Sequence, residues 1–501
     1  DQDISGWDIS NVEDLGGMFA FASSFDQDIG AWDMSSVVTT ESMFENADAF
    51  NQGLEGWNLG SVENADTMFK ATADFNNGCV GTTTCPLSWT LGSLLHAGSM
   101  FENASAFNQS VTNWDTSSMT SMANLFGGAV VFNNGCVEDD LSCPLDWDTS
   151  NASSTGGMFL NAYDFNQDVS SFDMWDVTSM ASMFLGAESF NNGCVAGDVS
   201  CPMEFIGGNT ASLQSAASVF EGAIAFNQNV ASWDMADVTT LEYVFSQAAA
   251  FNNGCVDDDF SCPLNWGTHL VENMSNAFNL AFHFNQDLNF WDVFSVTNFS
   301  ATFYGAGVFN NGCDAGVSSC SLNWGTNSAT NMAQMFAVTP VFNQDLSMFD
   351  TSNVENMASM FDLAESFDQD LSMWDVSAVT TIDSMFRSAG VFNHDLSAWC
   401  FDESVDHDNY ETLAISWDEP RPRFGSCDES RVTGGGSSED TTTSTTIPIV
   451  PVVDGRTPPT LPPVSRGSLP RTGATVFPMW VMFGLLSAGA LLLMSRRRLQ
   501  R

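Results

Sequence analysis

The sequence predicts an α/β repeat solenoid of about 15 coils, each a short strand plus a short helix, with disulfide-pinched loops on alternate coils. Three observations carry that expectation. An aromatic residue recurs at Trp7, Trp32, Trp57, Trp89, Trp114, Trp147, Phe172, Phe205, Trp233, Trp266, Trp291, Trp324, Phe349, Trp374 and Trp399. The step is 25 residues, or 32 to 33 where a cysteine pair intervenes, with one step of 28 after Phe205, where Ile206-Gly207-Gly208 marks an insertion. A second column, Phe19, Phe44, Phe69, Phe101 and onward to Phe386, keeps the same rhythm. Cysteine pairs, finally, interrupt every second unit at one fixed place. Self-similarity at such a period marks stacked units, none of which can bury its apolar face alone.

Within a unit two periodicities alternate. In VENMASMFDLA, the apolar residues Val354, Met357, Met360, Phe361 and Ala364 fall at spacings of three and four, which predicts one face of a short helix. Ser10 with Glu13, and Ser352 with Glu355, read as capping boxes ahead of that face. In QDLSMWDVS the spacing tightens around Leu371, Trp374 and Val376, which predicts a short strand leaving a turn. Columns of Met and Phe at this spacing read as core rather than as a cofactor site.

The cysteine pairs bracket an insertion. FDQDLSMW (367–374) and FNNGCVDDDFSCPLNW (251–266) share their ends, so the extra residues form a loop at one corner of the coil. Zinc sites gather four soft ligands, whereas each loop here offers two thiols. The spacing therefore predicts local disulfides Cys79–Cys85, Cys136–Cys143, Cys194–Cys201, Cys255–Cys262 and Cys313–Cys320, with Cys400 and Cys427 left to pair with each other. A coil is only about 4.8 Å thick, and a pinched loop is about twice that, so loops on neighbouring coils would collide. Even, regularly placed cysteines point to an oxidising, extracellular setting.

Composition narrows the function classes. Of 501 residues, 62 are acidic and 12 basic, for a formal net charge of −50, and only Lys70 and Arg387 are basic before Cys400. Such a surface repels polyphosphate, which excludes nucleic acid as a partner of the body. It suits solubility in a salty exterior or the attraction of cations. The opening DQDISGWD lacks a Met, matches the middle of a repeat and shows no signal peptide, which reads as an amino-terminally truncated sequence.

FNQDLSMFDTSNVENMASMFDLAESFDQDLSMWDVS (342–377), with its FNxD, WDVS and MF elements, resembles the repeat of BspA-type leucine-rich-repeat surface proteins, also described as mycoplasma-lipoprotein-type repeats. The resemblance covers nearly all of residues 1–400 and implies a leucine-rich-repeat-like fold in a secreted or surface-anchored protein, of a kind in which some members are adhesins. It brings no catalytic residues, and the alternate-coil cysteine loops are not part of its basic repeat.

The chain divides accordingly into a solenoid (1–400), a cap (401–428), a Ser/Thr/Pro/Gly-rich linker (429–468) and a terminal module (469–501). That module runs Leu469-Pro470-Arg471-Thr472-Gly473, an apolar stretch over 474–494 long enough to span a bilayer, then SRRRLQR, which stays cytoplasmic under the positive-inside rule. In this order the parts look like a cell-wall sorting signal. By resemblance, a sortase cleaves between Thr472 and Gly473 and links Thr472 covalently to peptidoglycan; the alternative is a plain membrane anchor.

Catalysis has no foothold in the pattern. His96, His269, His283, His394 and His407 share no column, none sits in a nucleophile motif, and carboxylates are too widespread to single out an acid/base pair. No cofactor is expected, calcium excepted. Asp28, Asp168, Asp287, Asp345, Asp370 and Asp395 share one coil position, and a second column holds Asp8, Asp33, Asp115, Asp148, Asp173, Asp234, Asp292, Asp350 and Asp375. Bound calcium could relieve their mutual repulsion; the favoured alternative has each Asp capping a turn. Likewise the Trp column reads as packing between coils ahead of sugar stacking. Two functions follow: an adhesin-like, wall-anchored binder of an extracellular protein or glycan, or a structural spacer that binds divalent cations without a specific ligand. The row of disulfide loops is the expected binding face.

Overall fold

The computed structural model describes residues 2–80, 85–137, 140–206 and 210–425. One compact unit covers Asp1–Arg431. Its coils lie side by side in parallel register, tied by single-residue parallel bridges: Asp14 to Thr39, Thr39 to Asn64, Asn64 to His96 and His96 to Ser121, then Ser154 to Ser179 and onward to Asn356, Thr381 and Asp406. Between Ser121 and Ser154 the Met122 and Ser153 amides carry the hydrogen bonding across, to Ser154 and Thr120. The apolar columns form one continuous core. Phe44, Phe69 and Phe101 stack on one another at 5.2 and 5.4 Å between ring centroids, and Phe50, Phe75 and Phe107 do so at 5.9 Å per step. Within a coil the two columns also stack, Phe44 on Phe50 at 4.1 Å.

No α-helix forms among the described residues, which corrects the expected strand-plus-helix coil. Val354, Met357, Met360, Phe361 and Ala364 are all buried, as the helical reading required, but the backbone beneath them is a run of overlapping turns. The amides of Met360, Asp362 and Ala364 donate to the carbonyls three residues back, at Met357, Ser359 and Phe361. The amides between them, Met357, Ser359, Phe361 and Leu363, donate instead to Thr381, Asp383, Met385 and Arg387 of the next coil. An α-helix needs every amide for its own axis. Here alternate amides bond sideways, and the tandem turns reproduce the spacing of three and four by another route. Every second turn places its third residue in the left-handed region, Ser359 at φ 56° and Leu363 at φ 60°.

Two companion expectations are corrected for the same reason. With no helix to cap, the Ser10 and Ser352 hydroxyls donate to the carboxylates two residues earlier, Asp8 and Asp350, both at 2.7 Å. Around Leu371, Trp374 and Val376 there is a turn, closed by the Trp374 amide on the Leu371 carbonyl at 3.0 Å, and no strand. The bridge ladder runs instead through Asn356 and Thr381, at the front of the segment expected to be helical.

Nor does the coil pattern stop at Cys400. The amides of Ile382, Ser384, Phe386 and Ser388 donate to Asp406, Asp408, Tyr410 and Thr412. Strand β1 (Cys400–Phe401) pairs in parallel with β2 (Arg423–Phe424). Residues 401–425 thus begin as a further coil and close the core at that end. The Trp417 ring stands edge-on to Phe392 at 4.9 Å, and Arg421 lies over its face at 4.3 Å. The linker expected at 429–468, the Leu469–Gly473 motif and the apolar stretch 474–494 lie outside the described residues.

Candidate functional site

The five expected local disulfides are present: Cys79–Cys85, Cys136–Cys143, Cys194–Cys201, Cys255–Cys262 and Cys313–Cys320. Cys400 is disulfide-bonded as well, while Cys427 lies outside the described residues. The loop 255–262 shows how a loop is held. Asn253, left-handed at φ 53°, accepts from the Val230 amide of the preceding coil at 3.0 Å and donates to the Cys262 carbonyl at 2.9 Å. Asn227, also of the preceding coil, donates to the Cys255 carbonyl at 2.9 Å. From the following coil, the Gln286 side-chain oxygen accepts from the Cys262 amide at 3.2 Å, and its nitrogen donates to the Asp259 carbonyl at 2.8 Å. Gly254 lies so close to the coil before it that a Cβ would meet the Asn229 amide nitrogen at 2.9 Å.

Every loop therefore uses both neighbouring coils as its clamps. Gln109, Gln167, Gln228 and Gln344 accept from the Cys85, Cys143, Cys201 and Cys320 amides in the same way. Loop coils carry Phe-Asn-Asn-Gly where the clamping coil that follows carries Phe-Asn-Gln, and a coil cannot carry both at once. That is a second physical reason for the alternation, besides the crowding expected from thickness.

Beneath the loops runs an asparagine ladder that the sequence reading did not identify. The Asn51 side-chain oxygen accepts from the Asn76 amide at 2.8 Å, Asn76 from Asn108 at 2.9 Å, and Asn108 from Asn133 at 2.8 Å. The chain of bonds continues through Asn166, Asn191, Asn227, Asn252, Asn285, Asn310 and Asn343 to Asp368, Asn393 and Asp418. Most of these side chains are buried, so the ladder satisfies backbone amides that water cannot reach. Its signal in the sequence is the Asn or Asp that follows each phenylalanine of the Phe50, Phe75 and Phe107 column.

Directly after the first cysteine of four loops, Val80, Val137, Val195 and Val256 are 83, 52, 55 and 58% exposed, and the last three loops of these also carry Asp140, Asp198, Asp257, Asp258 and Asp259. Ser200 and Ser261 donate to Asp198 and Asp259, hydroxyl first and backbone amide second, and hold those carboxyls below the usual range. Most of the loops thus present apolar points beside carboxylates.

The aspartate columns are turn caps. Asp28, Asp168, Asp287, Asp345, Asp370 and Asp395 each accept from the amide two residues on, at 2.8 to 3.1 Å. Among the described residues, no group of three or more His, Cys, Asp or Glu side chains is gathered to hold a metal ion. From Trp32 onward the Trp column is packed inside, Trp7 at its start being exposed: Trp147 and Trp266 are 2% exposed, and their indole nitrogens donate to the Val111 and Val230 carbonyls at 3.1 and 2.9 Å. Both basic side chains of the body are tied to a neighbouring coil, Lys70 to Glu102 at 2.8 Å and Arg387 to the buried Asp362.

The family described as "Mycoplasma protein of unknown function, DUF285" matches residues 1–83, 86–197, 206–265, 255–321 and 313–414. No curated protein and no solved structure matches the chain. With five successive matches spanning most of the stacked coils, the chain belongs to the DUF285 repeat family.

Proposed function

We propose that this chain is a cell-surface-displayed, wall-anchored binding protein, an adhesin-like solenoid whose ligand is an extracellular protein or glycan. The observation that carries the reading is the row of five disulfide loops, each clamped from both sides and each offering an exposed valine, with carboxylates in the four loops after the first. Rigid loops of one kind, repeated along one edge about 10 Å apart on every second coil, suit a multivalent contact. Disulfides fit an oxidising exterior, and the Leu469–Gly473 motif with its apolar stretch and arginine tail supplies the means of anchoring. Catalysis is no part of this reading.

A second reading, a structural spacer that binds divalent cations, draws on one observation. The Ser35, Ser377 and Ser397 hydroxyls, and then their amides, hold the Asp33, Asp375 and Asp395 carboxyls below the usual range, and the carboxylates of the preceding coils, Asp8, Asp350 and Asp370, oppose that with a smaller push upward. Cations would relieve that repulsion. A panel of cell surfaces, matrix proteins and glycans, tested against the full chain in calcium and in chelator, separates the two. Saturable binding supports the first reading; no ligand, with stability or self-association following calcium, supports the second. Anchoring is tested apart from binding: wall-released protein should end at Thr472, and Thr472→Ala should leave the chain with the membrane.

A further inference from the structure

One stretch of the surface departs from the repeat. The residue before the column aromatic is Gly, Ala, Ser, Asn, Asp or Glu in the first ten coils, as at Gly56, Ser88, Asn113 and Ser232. In the eleventh, thirteenth and fourteenth it is Phe290, Met348 and Met373, with Asn323 between. These side chains are 70, 60 and 91% exposed, so the core does not account for them. Phe294, where most coils carry Ser, Gly or Ala, is 59% exposed, and it follows two buried residues, Trp291 and Val293, that alternate with the exposed Asp292. Phe290, Asp292 and Phe294 therefore all point away from the core, Phe290 in the turn closed by the Trp291 amide on the Leu288 carbonyl and Phe294 in the next, closed by the Val296 amide on the Val293 carbonyl.

We propose that the face formed by Phe290, Phe294, Met348 and Met373, flanked by Asp292, Asp350 and Asp375, is a docking surface for a cationic amphipathic helix. Charge complementarity selects the occupant. The carboxyls of Asp350 and Asp375 are held below the usual range by the Ser352 and Ser377 hydroxyls and then by backbone amides, so the flank stays anionic. Both the lysine and the arginine of the surrounding body, Lys70 and Arg387, are engaged by carboxylates, so neither is left to repel a cation or to pair with an acidic partner. A second copy of so acidic a chain would bring like charge to the contact.

Geometry selects a helix over an extended strand. A helix offers one apolar side chain per turn of about 5.4 Å. The coil step lies near that value, between about 4.8 Å and the 6.4 and 6.3 Å that separate the buried rings Trp291–Trp324 and Phe349–Trp374 below the patch. One helical turn can thus meet each coil over four coils, with Lys or Arg on either side of the apolar stripe. Methionine adapts its shape to such partners, as the unbranched thioether side chain allows. The surface does not depend on the disulfide loops, and it can hold whether or not they bind.

The test is fluorescence anisotropy of a labelled synthetic Leu/Lys amphipathic helix against the full chain. Saturable binding is expected, with affinity reduced roughly tenfold or more in Phe290→Ser/Met348→Ser/Met373→Ser, a variant that keeps the native melting temperature because the three side chains are exposed. A peptide with Glu in place of each Lys should not bind. Trp175→Ser, which removes an exposed aromatic remote in sequence, should leave binding unchanged, as should replacement of the disulfide loops. Equal affinity for the native chain and the triple variant would overturn the proposal, since the acidic coat alone would then explain the attraction. It is overturned equally by absence of binding, or by self-association of the native chain that the triple variant abolishes.

Discussion

Val338 occupies the left-handed region at φ 57°, where a β-branched side chain crowds its own backbone. Other coils place Asn46, Asn103 and Asn161, or Gly186 and Gly305, at the same point of the turn. Where Gly follows Asn the fit is direct: a Cβ at Gly186 would meet the Asn161 side-chain oxygen at 2.3 Å, and one at Gly128 would meet that of Asn103 at 2.2 Å. Val338→Asn should raise stability by about 1 kcal/mol, measured by denaturant unfolding. The aspartate caps make a pH prediction at the same scale. The Ser352 hydroxyl, then its amide, lowers the Asp350 pKa. A carboxyl whose folded pKa is depressed contributes stability above its unfolded pKa of about 3.9 and loses it as pH falls through the folded value. Ser352→Ala should therefore move the Asp350 titration upward by NMR. Its stability deficit should be present at neutral pH and vanish in acid.

At the scale of the coil, the buried face was legible in the sequence and the backbone was not. Met357, Met360 and Phe361 are fully buried where the period places them. A period reports only which side chains share a side, however, and tandem turns that send alternate amides to the next coil match a helix in that respect. The pairing of Cys255 with Cys262 was legible because local spacing leaves few partners. The clamps were not, because Asn227, Asn253 and Gln286 act across coils, at separations of 23 to 28 residues that only a correct register reveals. Asn166 shows what the ladder contributes. It accepts from the Asn191 and Gly193 amides at 2.7 and 3.2 Å and donates to the Cys194 carbonyl at 2.8 Å. Asn166→Ala leaves a buried amide without its acceptor and should cost about 3 kcal/mol, with amide exchange accelerated first in the loop 194–201. Reducing a single loop disulfide should cost roughly 2–3 kcal/mol, because the ring it closes is short.

For the whole molecule, the charge of −50 and the pairing of Lys70 and Arg387 to neighbouring coils leave an acidic exterior, on which the loop valines and the patch at Phe290, Met348 and Met373 are among the exposed apolar points. Stacked coils let such a chain fold, since the aromatic columns and the asparagine ladder are both buried between like-charged surfaces. Family membership names the repeat and leaves its ligand open, so the functional claim stands on the loops. The most direct measurement compares ligand binding by the native full chain with that of a chain in which all five disulfide loops are replaced by the short Phe-Asp-Gln-Asp turn of residues 367–370, together with the Gln clamps they engage. The account expects a saturable ligand of the native chain to be lost in the replaced one, with the melting transition of the coils retained. Undiminished binding by a folded chain without its loops would contradict it.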